Sequence, residues 1–209
     1  MCVVTAAMRE DCVARFLRAY PQVEQVAYDH PALAGCAEVD WSAVPECPAG
    51  VPYLLRGLLD EAAGPEAVRQ VGSAMMSSSL HLGAGAPAVL PYLIRLAAVP
   101  GLAVREELFG LLVFAAMMAE PRDGEADDED HAPPSAFDRD RRERAACRTV
   151  FAAHAPDLRA LLVDPGLPAG LIGDDDRAYL LRAVEGEERE TAPRSGVRPH
   201  ARSHARSHA

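Results

Sequence analysis

Apolar positions recur along this chain at helical spacing, and the clearest instance has a copy. Ala86 to Ala119, APAVLPYLIRLAAVPGLAVREELFGLLVFAAMMA, reads as two short helices folded back on each other. Pro52-Tyr53-Leu54-Leu55-Arg56 recurs as Pro91-Tyr92-Leu93-Ile94-Arg95, an offset of 91 − 52 = 39 residues. A period of about forty residues with two helices per unit is the signature of stacked helical-pair repeats.

Residues 4–19 carry an apolar stripe through Val4, Ala7, Met8, Val13, Phe16 and Leu17, which predicts a helix ended by Pro21. Pro21 to Pro48 has no period, although Gln22 to Tyr28 suits a short helix, and Trp41 is expected to plug the open edge of the first repeat. That repeat begins at Gly50 and Pro52, where a proline costs no intrahelical bond, and its first helix is expected to reach about Ala62. Gly64-Pro65 breaks it. Glu66 then sits in the first turn of the next helix, where a carboxylate complements the helix dipole.

The second helix of the first repeat is expected to bury Val68, Gly72, Met75, Met76 and Ser79. Thirty-six positions on, Val104, Leu108, Leu111, Leu112 and Ala115 do the same, with Arg69 and Arg105 also corresponding. A drop from 39 to 36 implies an inter-helix turn shortened by three residues. Gly72, two methionines and Ser77-Ser78-Ser79 make the earlier helix the more mobile, and the Leu, Phe and Val of the later one make it the most buried.

From Glu120 to about Pro134 the chain holds seven acidic residues, one Arg and three prolines, a composition that cannot repay ordering by burying apolar surface. It reads as a disordered acidic insertion. A helix is expected from Asp138 to Ala153. HAPDLRALLVDPG, 154–166, follows as a displaced first helix of a third repeat, its Arg159-Ala160-Leu161-Leu162 echoing Arg56-Gly57-Leu58-Leu59. Asp174 to Glu185 supplies the partner, with Ala178, Leu181 and Val184 as its stripe. The organisation expected is an N-terminal helix and cap over 1–48, two repeats over 49–119, an acidic insertion leading into a helix over 120–144, an atypical third repeat over 145–186, and a disordered tail over 187–209.

Charge narrows the partners. With 21 basic and 31 acidic side chains the net charge is −10 over 209 residues, which disfavours nucleic acid and anionic lipid surfaces and favours a basic protein partner. Every basic residue is Arg and none is Lys, which reads as a high-GC coding bias. No basic and apolar leader opens the sequence, and the run Leu108 to Ala119 falls short of the roughly 20 residues a membrane helix needs, so a cytoplasmic protein is expected. Five scattered cysteines without a C-x-x-C pair signal neither a disulfide framework nor a zinc site.

The stretch His81-Leu82-Gly83-Ala84-Gly85-Ala86-Pro87-Ala88-Val89-Leu90-Pro91-Tyr92-Leu93, a histidine turn leading into an A-x-x-x-P helix, resembles the HEAT-like α-solenoids, in particular small ones of high-GC bacteria. Asp40-Trp41 is also similar to their opening. The resemblance covers residues 40–119 well and 145–184 loosely. It implies an all-α fold, a short right-handed solenoid of about three helical hairpins. It also implies a binding scaffold, of a kind thought in some cases to neutralise toxins; a few HEAT-like folds act on DNA or as chromophore lyases.

Candidate chemistry is sparse. Asp127-Asp128-Glu129-Asp130-His131 lacks the glycine turn and ligand spacing of a calcium loop, and His200, His204 and His208 would bind transition metals only weakly. Glu106 and Glu107 beside Arg105 could supply an acid and a base, but helical spacing favours a solvated face. There is no phosphate loop, nucleophile elbow or H-x-x-x-H pattern. The expectation is a non-catalytic protein-binding scaffold without cofactor or metal, monomeric or weakly self-associating. The side chains expected at the partner are Glu66, Arg69 and Gln70, then Arg105, Glu106 and Phe109 on the concave row of second helices, with His81 at the turn leading in. The alternatives are a HEAT-like hydrolase, glycosylase or lyase, and a self-associating structural protein.

Overall fold

The computed structural model describes residues 5–25, 29–78, 80–121, 140–167 and 170–190, with side chains as far as 185. The acidic cluster 127–131, the histidine tail and Ser79 lie outside the described residues. The fold is all-α: eight α-helices among the described residues, four single 3₁₀ turns and one small hairpin.

α1 (Ala6–Ala19) starts at Thr5, whose hydroxyl accepts from the Met8 amide at 3.3 Å, and buries Val13 and Phe16. The aperiodic segment after it forms 3₁₀ turns at Pro21–Gln25, Pro31–Leu33, Cys36–Glu38 and Trp41–Ala43. Trp41 is buried, its indole nitrogen donating to the Cys36 carbonyl at 2.9 Å and its ring 5.9 Å from that of Tyr92.

α2 (Val51–Gly57) is shorter than its apolar run predicts. The chain leaves the helix at Leu58, and the Asp60 carboxylate accepts from the amides of Ala62 and Ala63 at 3.0 and 2.8 Å, a local turn that sets up α3 (Gly64–Ala74). α3 buries Gly64, Ala67, Val71 and Ala74, not Val68 and Gly72, which are only half-buried. The buried face falls one position before the expected stripe, with Ala67, Val71 and Ala74 in place of Val68 and Gly72. A Cβ on Gly57 would stand 2.5 Å from the Phe16 ring and 3.1 Å from the Ala67 Cβ.

Helix α3 ends at Ala74, and Met75 is buried as its C-cap; Met76, half-buried, opens strand β1 (Met76–Ser78), which pairs antiparallel with β2 (His81–Leu82). Ser77 and Ser78, which weaken helix propensity, therefore belong to a hairpin arm. α4 (Gly85–Ala97) and α5 (Arg105–Ala119) follow, α4 carrying Pro91 in its interior. Burial along α4 repeats that of α2 at the offset of 39: Leu54 and Leu55 are matched by Leu93 and Ile94. For the second helices the buried faces match at 108 − 67 = 41 and 112 − 71 = 41, so the turn of the later pair is two residues longer rather than three shorter.

α6 (Arg141–Ala153), α7 (Ala155–Leu162) and α8 (Asp174–Glu190) complete the chain. The α4–α5 pair is central: α4 packs on α5, α6 and α7, and α5 packs on α3, α6 and α8. α8 buries Leu180, Ala183 and Val184, so its stripe falls one position before Leu181. A buried ion pair of Asp140 and Arg144 starts α6, and the other Asp140 oxygen accepts from the Leu82 amide at 2.8 Å, tying the hairpin to the helix. No helix among the described residues is long and apolar enough to cross a membrane.

Candidate functional site

The residues expected at a partner are not gathered in one place. Glu66 is taken up within its own helix: Arg69 donates to both its oxygens, at 2.9 and 2.5 Å, and Gln70 to one at 2.8 Å. The Arg69 hydrogen bonds hold the Glu66 carboxyl below its usual range. Gln70 itself is buried. His81 sits on the hairpin, its Nδ1 2.7 Å from the Ser78 hydroxyl.

Arg105 lies inside. Its Nε donates to the Ala97 carbonyl at 2.7 Å, one terminal nitrogen to the Gly166 carbonyl at 3.4 Å, and the other to the Asp164 carboxylate. The guanidinium thus staples the two ends of the α4–α5 turn to the loop after α7. It holds the Asp164 carboxyl below its ordinary value.

Glu106 and Phe109 do share a site. A trough of about 380 Å³ runs between α5 and α8, in the lower part of the roughly 300–1,000 Å³ range of ligand pockets. From α5 it is lined by Glu106, Phe109, Gly110, Val113, Phe114 and Met117, which fall on one line at three- and four-residue steps. Facing α5 are Leu171 and Ile172, just before α8, and Asp176 and Tyr179 of α8.

The direction of the trough follows from its end contacts. Arg105, at the start of α5, holds Asp164 and Gly166; Glu120, just past its end, accepts from Arg182 at 2.6 Å. Asp164 and Gly166 thus lie at the start of α5 and Arg182 of α8 at its end, and the trough is a groove between the two helices.

Two features of the trough were not legible as a site in the sequence. The first is Gly110. It stands mid-helix, and a Cβ built on it meets nothing within 4 Å, so packing does not require a glycine there. Gly57, Gly64 and Gly85 differ: a Cβ at each would come within 2.5 to 2.7 Å of a neighbouring atom. The second is the α8 wall. Tyr179-Leu180-Leu181-Arg182 repeats Tyr53-Leu54-Leu55-Arg56 exactly, 179 − 53 = 126 residues on, a signal present in the sequence and hidden by the interval. In all three copies the arginine stacks on the tyrosine three residues before it, at 4.5 Å for Arg56 on Tyr53, 4.8 Å for Arg95 on Tyr92 and 4.5 Å for Arg182 on Tyr179.

Charge in the trough is unbalanced. Arg105 is committed to Asp164, Arg177 donates to the Leu162 carbonyl at 2.8 Å, and Arg182 is held by Glu120 and Tyr179. Glu106 is exposed and has no hydrogen-bond or ion-pair partner among the described residues, and Asp176 accepts only a 3.4 Å bond from the Gly173 amide. The cysteines lie elsewhere: burial pushes the Cys36 and Cys47 thiols up to about 11 and that of Cys147 up to about 12, out of reach of thiolate chemistry. With apolar walls, two carboxylates and one phenol, the trough is equipped to bind an apolar group that carries positive charge. Comparison with known protein families, with curated proteins and with solved structures finds no match for this chain.

Proposed function

We propose that this chain is a non-catalytic, cytoplasmic protein-binding scaffold built from HEAT-like helical pairs stacked into a short right-handed solenoid, and that its partner is a basic protein. The repeated Pro-Tyr-x-x-Arg unit, with its recurring ring contact, and the matched burial of successive pairs support the repeat reading. The observation that carries the function is the α5–α8 trough, whose carboxylates have no compensating cation among the described residues, in a chain of net charge −10.

Of the residues expected to touch the partner, Glu106 keeps that role, whereas Phe109 is buried in the core beneath the trough; Asp176 and Tyr179 join Glu106. Arg69 with Glu66 and Gln70 form a closed polar group, and Arg105 serves as a staple. Affinity capture from source cells at low ionic strength is expected to retain a stoichiometric basic protein. Raising salt should release it, since exposed charge pairs are screened over about 10 Å at 0.1 M salt. An empty eluate, or a partner whose retention is indifferent to salt, contradicts the reading.

A further inference from the structure

Resting on that reading, we infer that the trough takes an amphipathic helix of the partner whose apolar stripe is flanked by arginine or lysine. Its length and line of side chains set the first condition. Glu106 to Met117 spans 117 − 106 = 11 residues of α5, roughly 16 Å at the α-helical rise, or three turns. A helix presenting apolar residues at i, i+3, i+4 and i+7 covers that distance with one face.

The walls decide between a helix and an extended strand. The α5 wall is helical throughout and Tyr179 of the facing wall lies inside α8, so the backbone amides and carbonyls there are already bonded within their helices. An extended peptide laid between them would leave its own backbone groups without partners, whereas a helix satisfies them internally. Two helices with a groove between them also provide the ridges that a third helix packs against.

Gly110 widens the floor where it is exposed, leaving space for an incoming side chain that nothing in the fold itself fills. The charge of the flanking residues follows from Glu106 and Asp176. With Arg105, Arg177 and Arg182 each engaged elsewhere, these three arginines of the described residues leave the two carboxylates to a cation of the partner.

The test uses the full chain and a fluorescein-labelled synthetic peptide of about fifteen residues, near the length at which a helix is marginal alone and gains most from a groove. It carries leucines at helical spacing flanked by arginines, with a second version having glutamate at every arginine. Fluorescence anisotropy should give saturable binding of the arginine peptide and at least about tenfold weaker binding of the glutamate one, a difference near 1.4 kcal/mol. Gly110→Leu should weaken the arginine peptide by about tenfold or more. Glu106→Gln with Asp176→Asn, both conservative and the asparagine still able to accept from the Gly173 amide, should weaken it several-fold and flatten its salt dependence. The double variant decides the matter should Gly110→Leu lower the melting temperature.

Equal binding of the two peptides, or equal binding to wild type and to both variants, overturns the inference. If neither peptide binds while capture yields a salt-released partner that Gly110→Leu still holds, the trough helix is wrong and the scaffold stands; failure of both removes the scaffold as well. A chain that dimerises by sedimentation, with Gly110→Leu abolishing the dimer, gives the trough to a second copy and overturns it too.

Discussion

The α2–α3 and α4–α5 pairs share a sequence unit and a burial pattern, yet the second carries, in Gly110, a glycine that packing does not require. In the first pair glycine is a packing device: Gly57 admits the Phe16 ring of α1, and Gly64 lies against Val104, so the outer face is sealed by neighbouring elements. In the second, Gly110 faces open space in a trough that α8 borders without covering. The same helical pair is therefore closed where the N-terminal helix lies over it and open where α8 runs alongside. A mid-helix glycine costs about 0.5–1 kcal/mol relative to alanine, and at Gly110 packing does not account for it.

Substitutions separate the two regions by sign as well as by size. The largest effect is expected in the shared core: Leu108→Ala should lower unfolding free energy by about 2–5 kcal/mol in a urea titration followed by Trp41 fluorescence. A loss under about 1 kcal/mol would take α5 out of the core. Gly57→Val should cost about 1–3 kcal/mol by driving a side chain into Phe16 and Ala67, whereas Gly110→Ala should raise stability by about 0.5–1 kcal/mol. Equal signs at Gly57 and Gly110 would erase the contrast between the pairs.

Smaller effects probe the staples. The folded Asp164 carboxyl is held below its unfolded value, so its contribution is present above the unfolded pKa and is lost as pH falls through the folded one. The stability gap between wild type and Asp164→Asn should accordingly be full near neutral pH and close in acid; a gap that widens as pH falls would contradict the Arg105 assignment. Least of all in energy, iodoacetamide in native buffer should modify Cys12 and leave Cys36, Cys47 and Cys147 unmodified, as peptide mass spectrometry would read out.

Helix periodicity and the Pro-Tyr-x-x-Arg repeat made the elements and the central pair legible from the sequence. The burial register of α3 was not, because Ala67 and Ala74 pack as closely as leucines and do not stand out beside Val68 and Met76. The hairpin escaped notice because three serines describe a poor helix as well as a strand. Arg105 looked like a surface charge at an i, i+1 distance from Glu106; only the loop carrying Asp164, brought in from 59 positions along the chain, makes it an internal bond. Half of the trough was visible, since Glu106 and Phe109 lie on α5. The other half depends on α8 lying beside it, which no local pattern specifies.

The most direct test of the open face is an amide-resolved NMR titration of the full chain with the arginine-flanked peptide. Chemical-shift changes should concentrate at Glu106, Gly110, Val113, Met117, Ile172 and Tyr179, and leave the Glu66–Gln70 face unmoved. Changes centred on α3 or on the Ser78–His81 hairpin, with the trough silent, would contradict the account.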